Sequence, residues 1–244
     1  MHAIAYDDVR DEIVVPQEIA QGILTFRGGA EGEEPPLRAI QGPLTQLHQP
    51  DKLYLDAVHG EIFVPQRGPV NTVLVFQREA TGNVAPIRIL RPTGGVRFGN
   101  SVSVDPVNNL LLVSGSVMNG SRWESRLLIY NRTDEGPVAP KGMIGGPQYR
   151  VGAGVVYPPK GWIVSTSSWG DARGERSSLA VDDQYVGVWS IHDRGDVPPR
   201  WRIGGPNGTF QMIRNLVLDP KHRSLIVADK RINGVMTFFF PEMF

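Results

Sequence analysis

Short apolar runs alternate with clusters of Asp, Asn, Gly and Pro along the chain, and the runs recur five times in the same order. A first run ends at a turn residue, usually Asp, over residues 3–7, 53–56, 101–105, 154–157 and 216–219. A second, nearly all apolar, follows at 13–15, 62–64, 110–113, 162–164 and 225–227. A third ends in an aromatic: Phe26, Phe76, Tyr130, Trp189 and Phe238. A fourth opens with proline, at Pro36, Pro86, Pro140 and Pro199, and has no counterpart in the last repeat. The turn positions Asp7, Asp56, Asp105, Tyr157 and Asp219 are separated by 49, 49, 52 and 62 residues. A period in this range marks a repeat architecture in which each unit buries its faces against its neighbours.

The chemistry of each run assigns it a place. Continuous β-branched and Leu residues in the second run suit a strand covered on both faces. Turn segments such as Asp56-Ala57-Val58-His59-Gly60 and Asp105-Pro106-Val107-Asn108-Asn109 have tight-turn chemistry, with the leading Asp bonding its own backbone. Proline is confined to strand starts and edges, so the fourth run is the outer strand of each unit, protected from further pairing. Four short strands per unit without helical periodicity predict an all-β protein, a β-propeller in one domain. Its five units are 3–52, 53–100, 101–153, 154–215 and 216–244, the last without its outer strand. Closing such a ring calls for a strand beside the last unit. The edge 235–240, which carries Val235, Phe238, Phe239 and Phe240, is expected to be covered by an upstream segment, a neighbouring subunit or the folded-back tail 241–244.

Composition narrows the function classes. Lys+Arg 25 balances Asp+Glu 25, which removes the electrostatic footprint of a nucleic-acid or anionic-membrane binder. No apolar stretch approaches the roughly 20 residues of a membrane span, and with a first strand beginning at Ala3 no signal peptide is expected within these residues. Cys is absent, which excludes thiol catalysis, a disulfide scaffold, Cys-type zinc sites and Cys-x-x-Cys-His haem attachment, and favours an oxidising compartment outside the cytoplasm. No Gly-x-Ser-x-Gly elbow, zinc-binding His-Glu-x-x-His or phosphate loop is present. Gly145-Gly146-Pro147 and Gly204-Gly205-Pro206 recur after the fourth run and read as turns. The same holds for Arg194-Gly195-Asp196. Asn119, Asn131 and Asn207 match the glycosylation pattern, and His59 and His222 occupy equivalent turns.

The stretch 50–56 with Glu61-Ile62-Phe63-Val64 and Thr72-Val73-Leu74-Val75-Phe76 resembles an NHL-type repeat. So does the last unit, with Leu216-Val217-Leu218-Asp219 and Leu225-Ile226-Val227-Ala228-Asp229. The resemblance covers nearly the whole chain and is weakest in unit four, where Tyr157-Pro158-Pro159 replaces the turn Asp. It implies a propeller, commonly six-bladed, that serves as a binding platform and sometimes as a hydrolase or lyase. In gluconolactonase-like propellers, a more distant resemblance, Glu and Asn at the mouths of inner strands hold calcium. Asn100 and Asn215 are the matching positions here, while Met1 and His2, Lys52 and Ala153 stand at the other three.

The connection between the second and third runs is short at 16–22, 65–72 and 228–234, but expands to 114–126 in unit three and 165–184 in unit four. Strand order places both long connections on one face. They carry Arg122, Trp123, Arg126, Trp169, Arg173 and Arg176, the aromatic and Arg chemistry of a recognition surface, with Trp169 as its anchor. The expected function is a non-enzymatic interaction or structural subunit of a larger extracytoplasmic assembly, with protein partners, no cofactor and no metal. The alternative is a calcium-assisted lactone or ester hydrolase using Asn100 and Asn215.

Overall fold

Each repeat folds into an antiparallel sheet whose consecutive strands are neighbours, the arrangement of a propeller blade. The computed structural model describes residues 3–167, 184–205 and 207–244. Blade one is β1 (Ala5–Asp7), β2 (Glu12–Gln17), β3 (Gly22–Arg27) and β4 (Arg38–Gln41). Blade two is β5 (Tyr54–Asp56), β6 (Glu61–Gln66), β7 (Thr72–Gln77) and β8 (Arg88–Pro92). Blade three has β9 (Val96–Asp105), β10 (Leu110–Asn119), β11 (Arg122–Asn131) and β13 (Gly142–Ile144), with a short β12 (Gly136–Val138) between the last two. Blade four is β14 (Gly154–Tyr157), β15 (Trp162–Thr166), β16 (Tyr185–Ser190) and β17 (Trp201–Gly204). Blade five has three strands, β18 (Ile213–Asp219), β19 (Ser224–Asp229) and β20 (Gly234–Phe239). Helix among the described residues is limited to single 3-10 turns such as Pro158–Lys160, the segment that replaces the turn Asp of unit four. The fold is all-β and of the β-propeller class, with five blades.

The repeated Asp residues fix the first turn of blades one, two, three and five. In Asp7, Asp56 and Asp105, Oδ1 accepts the backbone N–H groups two and three residues on, at 2.9 to 3.3 Å. Their Oδ2 atoms take the side chains of Arg10, His59 and Asn108 at 3.2, 2.8 and 2.7 Å. Asp219 repeats the device with His222. The turn His residues are therefore caps for these carboxylates.

The blades fall into two compact units, residues 1–102 with 133–139 and residues 103–132 with 140–244. In the first, Val14, Ile23 and Ile40 of blade one pack on Ile62, Val64, Leu74 and Phe76 of blade two. Beside this apolar core the buried Arg78 pairs with Glu12 and with Asp7, the latter at 3.6 Å. Arg88 grips Glu61 through both nitrogens at 2.7 and 2.8 Å. In the second unit, Leu112, Ile129 and Ile144 of blade three meet Ile163, Tyr185 and Trp189 of blade four. Blade four also packs Val164, Val186 and Val188 on Leu216, Leu225 and Val227 of blade five.

A feature absent from the sequence-based expectation ties neighbouring blades together. In blades two, three and four the segment before the outer strand crosses to the preceding blade and pairs with that blade's outer strand in parallel. Gly82 bridges Ile40 and Gly195 bridges Ile144, while β12 lies along β8 with Gly136 opposite Leu90. Gly82 N–H donates to the Ala39 carbonyl at 2.6 Å and Gln41 N–H returns to the Gly82 carbonyl at 3.1 Å. Gly195 repeats the exchange with Met143 and Gly145 at 2.7 and 2.9 Å. The next residue adds a side-chain bond: Asn83 Oδ1 accepts Leu44 N–H at 2.8 Å, and both Asp196 oxygens accept the Gln148 and Tyr149 amides. Each glycine has positive φ, 79°, 73° and 78°, a region that side chains rarely tolerate. Blade two's sheet consequently has five strands, where the pattern predicts four, because β12 leaves its own blade to cover the β8 edge. That pairing also places residues 133–139 with the first unit.

The tail 241–244 does fold back, toward blade four. Met243 is fully buried in the core between blades four and five, and the Phe244 ring stands edge-on to Tyr157 at 5.1 Å. Val235 and Phe239 on β20 stay 70% and 73% exposed.

Candidate interaction surface on the third and fourth blades

The long connection of unit three is a regular hairpin, where the sequence pattern reads a loop over 114–126. Strands β10 and β11 are each ten residues long and stay paired to the tip, from Leu110 opposite Asn131 to Asn119 opposite Arg122. The two-residue turn Gly120-Ser121, with Gly120 at φ 59°, closes it. The sequence hides this continuation because Ser114-Gly115-Ser116 and Ser125 interrupt the apolar signal. Ladder hydrogen bonds still satisfy that backbone.

The pleat sorts the side chains predicted to form one recognition surface. Trp123 stands opposite Met118 on one face, and Met118 is 43% exposed. Arg122, Glu124 and Arg126 project from the other face, opposite Asn119, Val117 and Gly115. Gly115, having no side chain, leaves space beside Arg126. Glu124 binds Asn119 Nδ2 at 3.0 Å and Arg126 Nη2 at 2.5 Å. The Asn119 bond, followed by the Arg126 bond, holds the Glu124 carboxyl below its ordinary pKa. Arg126 is therefore partly neutralised, whereas Arg122 is exposed near the tip. The hairpin offers an apolar Trp123–Met118 face and a charged face, and Met118, Asn119 and Glu124 join the surface beyond the residues singled out from sequence.

Trp169, Arg173 and Arg176 lie outside the described residues. The roots of their insertion are firm. Ser165, Thr166, Ser167 and Gln184 are buried, Ser167 and Tyr185 exchange hydrogen bonds, and the Gln184 side chain accepts Ile213 N–H at 3.4 Å.

Some of the other candidates have partners within the chain. Asn100 donates Nδ2 to Asp51 Oδ2 at 2.7 Å within the first unit, and Asn215 lies at a register irregularity of β18 in the second. Among the described residues no group of three or more His, Cys, Asp or Glu side chains is arranged to hold a metal ion. Asp196 of the Arg-Gly-Asp triplet spends both oxygens on the clasp to blade three, and Asn131 accepts a bond from Lys141. Asn119 is exposed at the hairpin tip.

These blades define a β-propeller. The chain is similar to a chain of Kuenenia stuttgartiensis hydrazine synthase, with a TM-score of 0.68 and 12% sequence identity over 98% of this chain and 64% of that chain. At that identity the likeness shows the fold. The present chain spans less than two thirds of the length of that chain. No protein-family model and no curated protein sequence matches it.

Proposed function

We propose that this protein is a non-enzymatic interaction module of a larger extracytoplasmic assembly, its NHL-type blades serving as the frame that presents partner-binding elements. The observation that carries this reading is the β10–β11 hairpin. Strands of six residues suffice for the corresponding pair in blades one, two and five. Ten-residue strands in blade three carry Met118, Arg122 and Trp123 beyond the packed part of the sheet. Regular, fully paired strands present such residues at little ordering cost, which is what a preorganised protein contact needs. Trp and Arg are also the side chains that contribute most at protein interfaces. Trp169 with Arg173 and Arg176 on the neighbouring insertion would extend the contact, and the absence of Cys fits the oxidising compartment. A protein partner at the blade-five edge is part of the same reading.

Photo-crosslinking from Met118 and Trp123 in native extract tests it. A discrete protein adduct is expected at both positions, and replacing residues 115–126 by an Asn-Gly turn should abolish association while leaving the fold intact. Cross-linking that yields no discrete adduct, or association that survives removal of the hairpin, would contradict the proposal.

A further inference from the structure

The four outer segments of this chain obey one rule. Gly32 to Ile40, Gly82 to Leu90, Gly136 to Ile144 and Gly195 to Ile203 each span nine residues, with Pro36, Pro86, Pro140 and Pro199 at the midpoint. In the last three, the glycine engages the outer strand of the preceding blade and the terminal Ile or Leu engages the third strand of its own. One nine-residue segment of the form Gly-x3-Pro-x3-Ile therefore fastens two blades. Blades four and five show the two receptor halves for such a segment, both without an occupant among the described residues.

The first half is β20. Ile23, Val73, Leu127 and Val186, each three residues before the aromatic that ends its run, pair with Ile40, Leu90, Ile144 and Ile203. All four are at most 1% exposed, whereas Val235, three residues before Phe238, is 70% exposed. The Thr25, Val75, Ile129 and Val188 carbonyls accept Leu37, Ile87, Lys141 and Arg200 N–H at 2.7 to 2.8 Å. Thr237 holds the matching place on β20. Phe240 N–H turns inward to the Arg223 carbonyl, so by alternation Val235, Thr237 and Phe239 direct their amides outward. The second half is β17. The clasped outer strands bury Ile40, Leu90 and Ile144 to 2% exposure or less, but Ile203 is only partly buried and Gly204 is exposed.

We infer that the β17 and β20 edges together form a docking site for a Gly-x3-Pro-x3-Ile β-segment of a partner protein. Its glycine would bridge Ile203 in parallel, its proline would open the strand, and its Ile would pair antiparallel with Val235. This is strand addition to an exposed edge, with the register dictated by the internal copies. We assign the occupant to a partner protein; the four copies within residues 1–244 are seated on their own third strands, so a second folded copy of these residues has none to spare. The inference rests on reading the blade-five edge as a protein contact and is independent of the β10–β11 hairpin.

A labelled peptide with the sequence of residues 193–205 is a direct probe, since it carries one complete natural copy. Fluorescence anisotropy with the whole protein should show saturable binding of one peptide per chain. Thr237→Pro removes one outward amide from an exposed edge position and should weaken binding at least about tenfold. Gly195→Val in the peptide, which leaves the protein untouched, should do the same. The variant with the shortened hairpin should bind the peptide normally, which separates this site from the one proposed above. Absence of saturable binding, or binding indifferent to both changes, overturns the inference. A protein dimer that Thr237→Pro dissolves would place a second copy on this edge and overturn it equally.

Discussion

In blades one, two, three and five a carboxylate closes the first turn by taking backbone N–H on one oxygen and a side chain on the other, and the residue three positions after the Asp varies from Arg10 to His59, Asn108 and His222. The invariant part is the backbone bond, so any donor at the third position completes the cap. His222 binds Asp219 at 2.7 Å and, with the His222 and Lys221 amides, lowers the Asp219 pKa below its ordinary value. A carboxyl whose pKa is depressed on folding contributes stability above its unfolded pKa and loses that contribution as pH falls through the folded value. Stability is therefore expected to decline on acidification through the range below the usual Asp pKa, and Asp219→Asn should flatten that limb. An NMR titration giving Asp219 an ordinary or raised pKa would refute the assignment. These turns were legible in the sequence because Asp followed by Pro, Asn or Gly encodes a local structure with no distant partner.

Elements that depend on a neighbour were harder to read. The strands announced themselves by apolar runs, yet the clasp did not, since Gly82, Gly136 and Gly195 look like loop glycines until the preceding blade supplies the strand they bridge. The spacing from glycine to proline to Ile was present in the chain, but only pairing reveals that its first half belongs to another sheet. The hairpin reads as a loop in the sequence for the complementary reason: its strands are held by backbone ladders and cross-strand pairs, with little apolar pattern to betray them. If the clasp carries stability, its side-chain bonds should be measurable. Asp196→Ala removes the acceptor of the Gln148 and Tyr149 amides, which water can partly replace at this accessible site, and should cost about 1 kcal/mol. Asp196→Asn, which retains an acceptor, should cost less. Denaturant unfolding checks this, and equal effects of Ala and Asn would mean that the bonds contribute nothing.

Across the molecule, stability should follow the number of neighbours each blade has. Within the second unit, blade four is packed on both faces, against Leu112 and Ile129 of blade three and against Leu216 and Val227 of blade five. Blade five uses one face for that contact and leaves Val217, Val235 and Phe239 exposed on the other. In a linear array of repeats each interface adds its own increment, so a unit with fewer interfaces opens at lower free energy. Met243, fully buried between the two blades, and Phe244 against Tyr157 delay that opening without supplying the missing strand. Native-state hydrogen exchange should find the β16 amides slowest in this unit, with the β18–β19 ladder exchanging earlier as a group. The outward amides of Val235 and Thr237 should exchange fastest, because no strand faces them among the described residues. Protection of β18 to β20 equal to that of β14 to β16 would show that the unit opens as one body and that the bare edge costs it no stability.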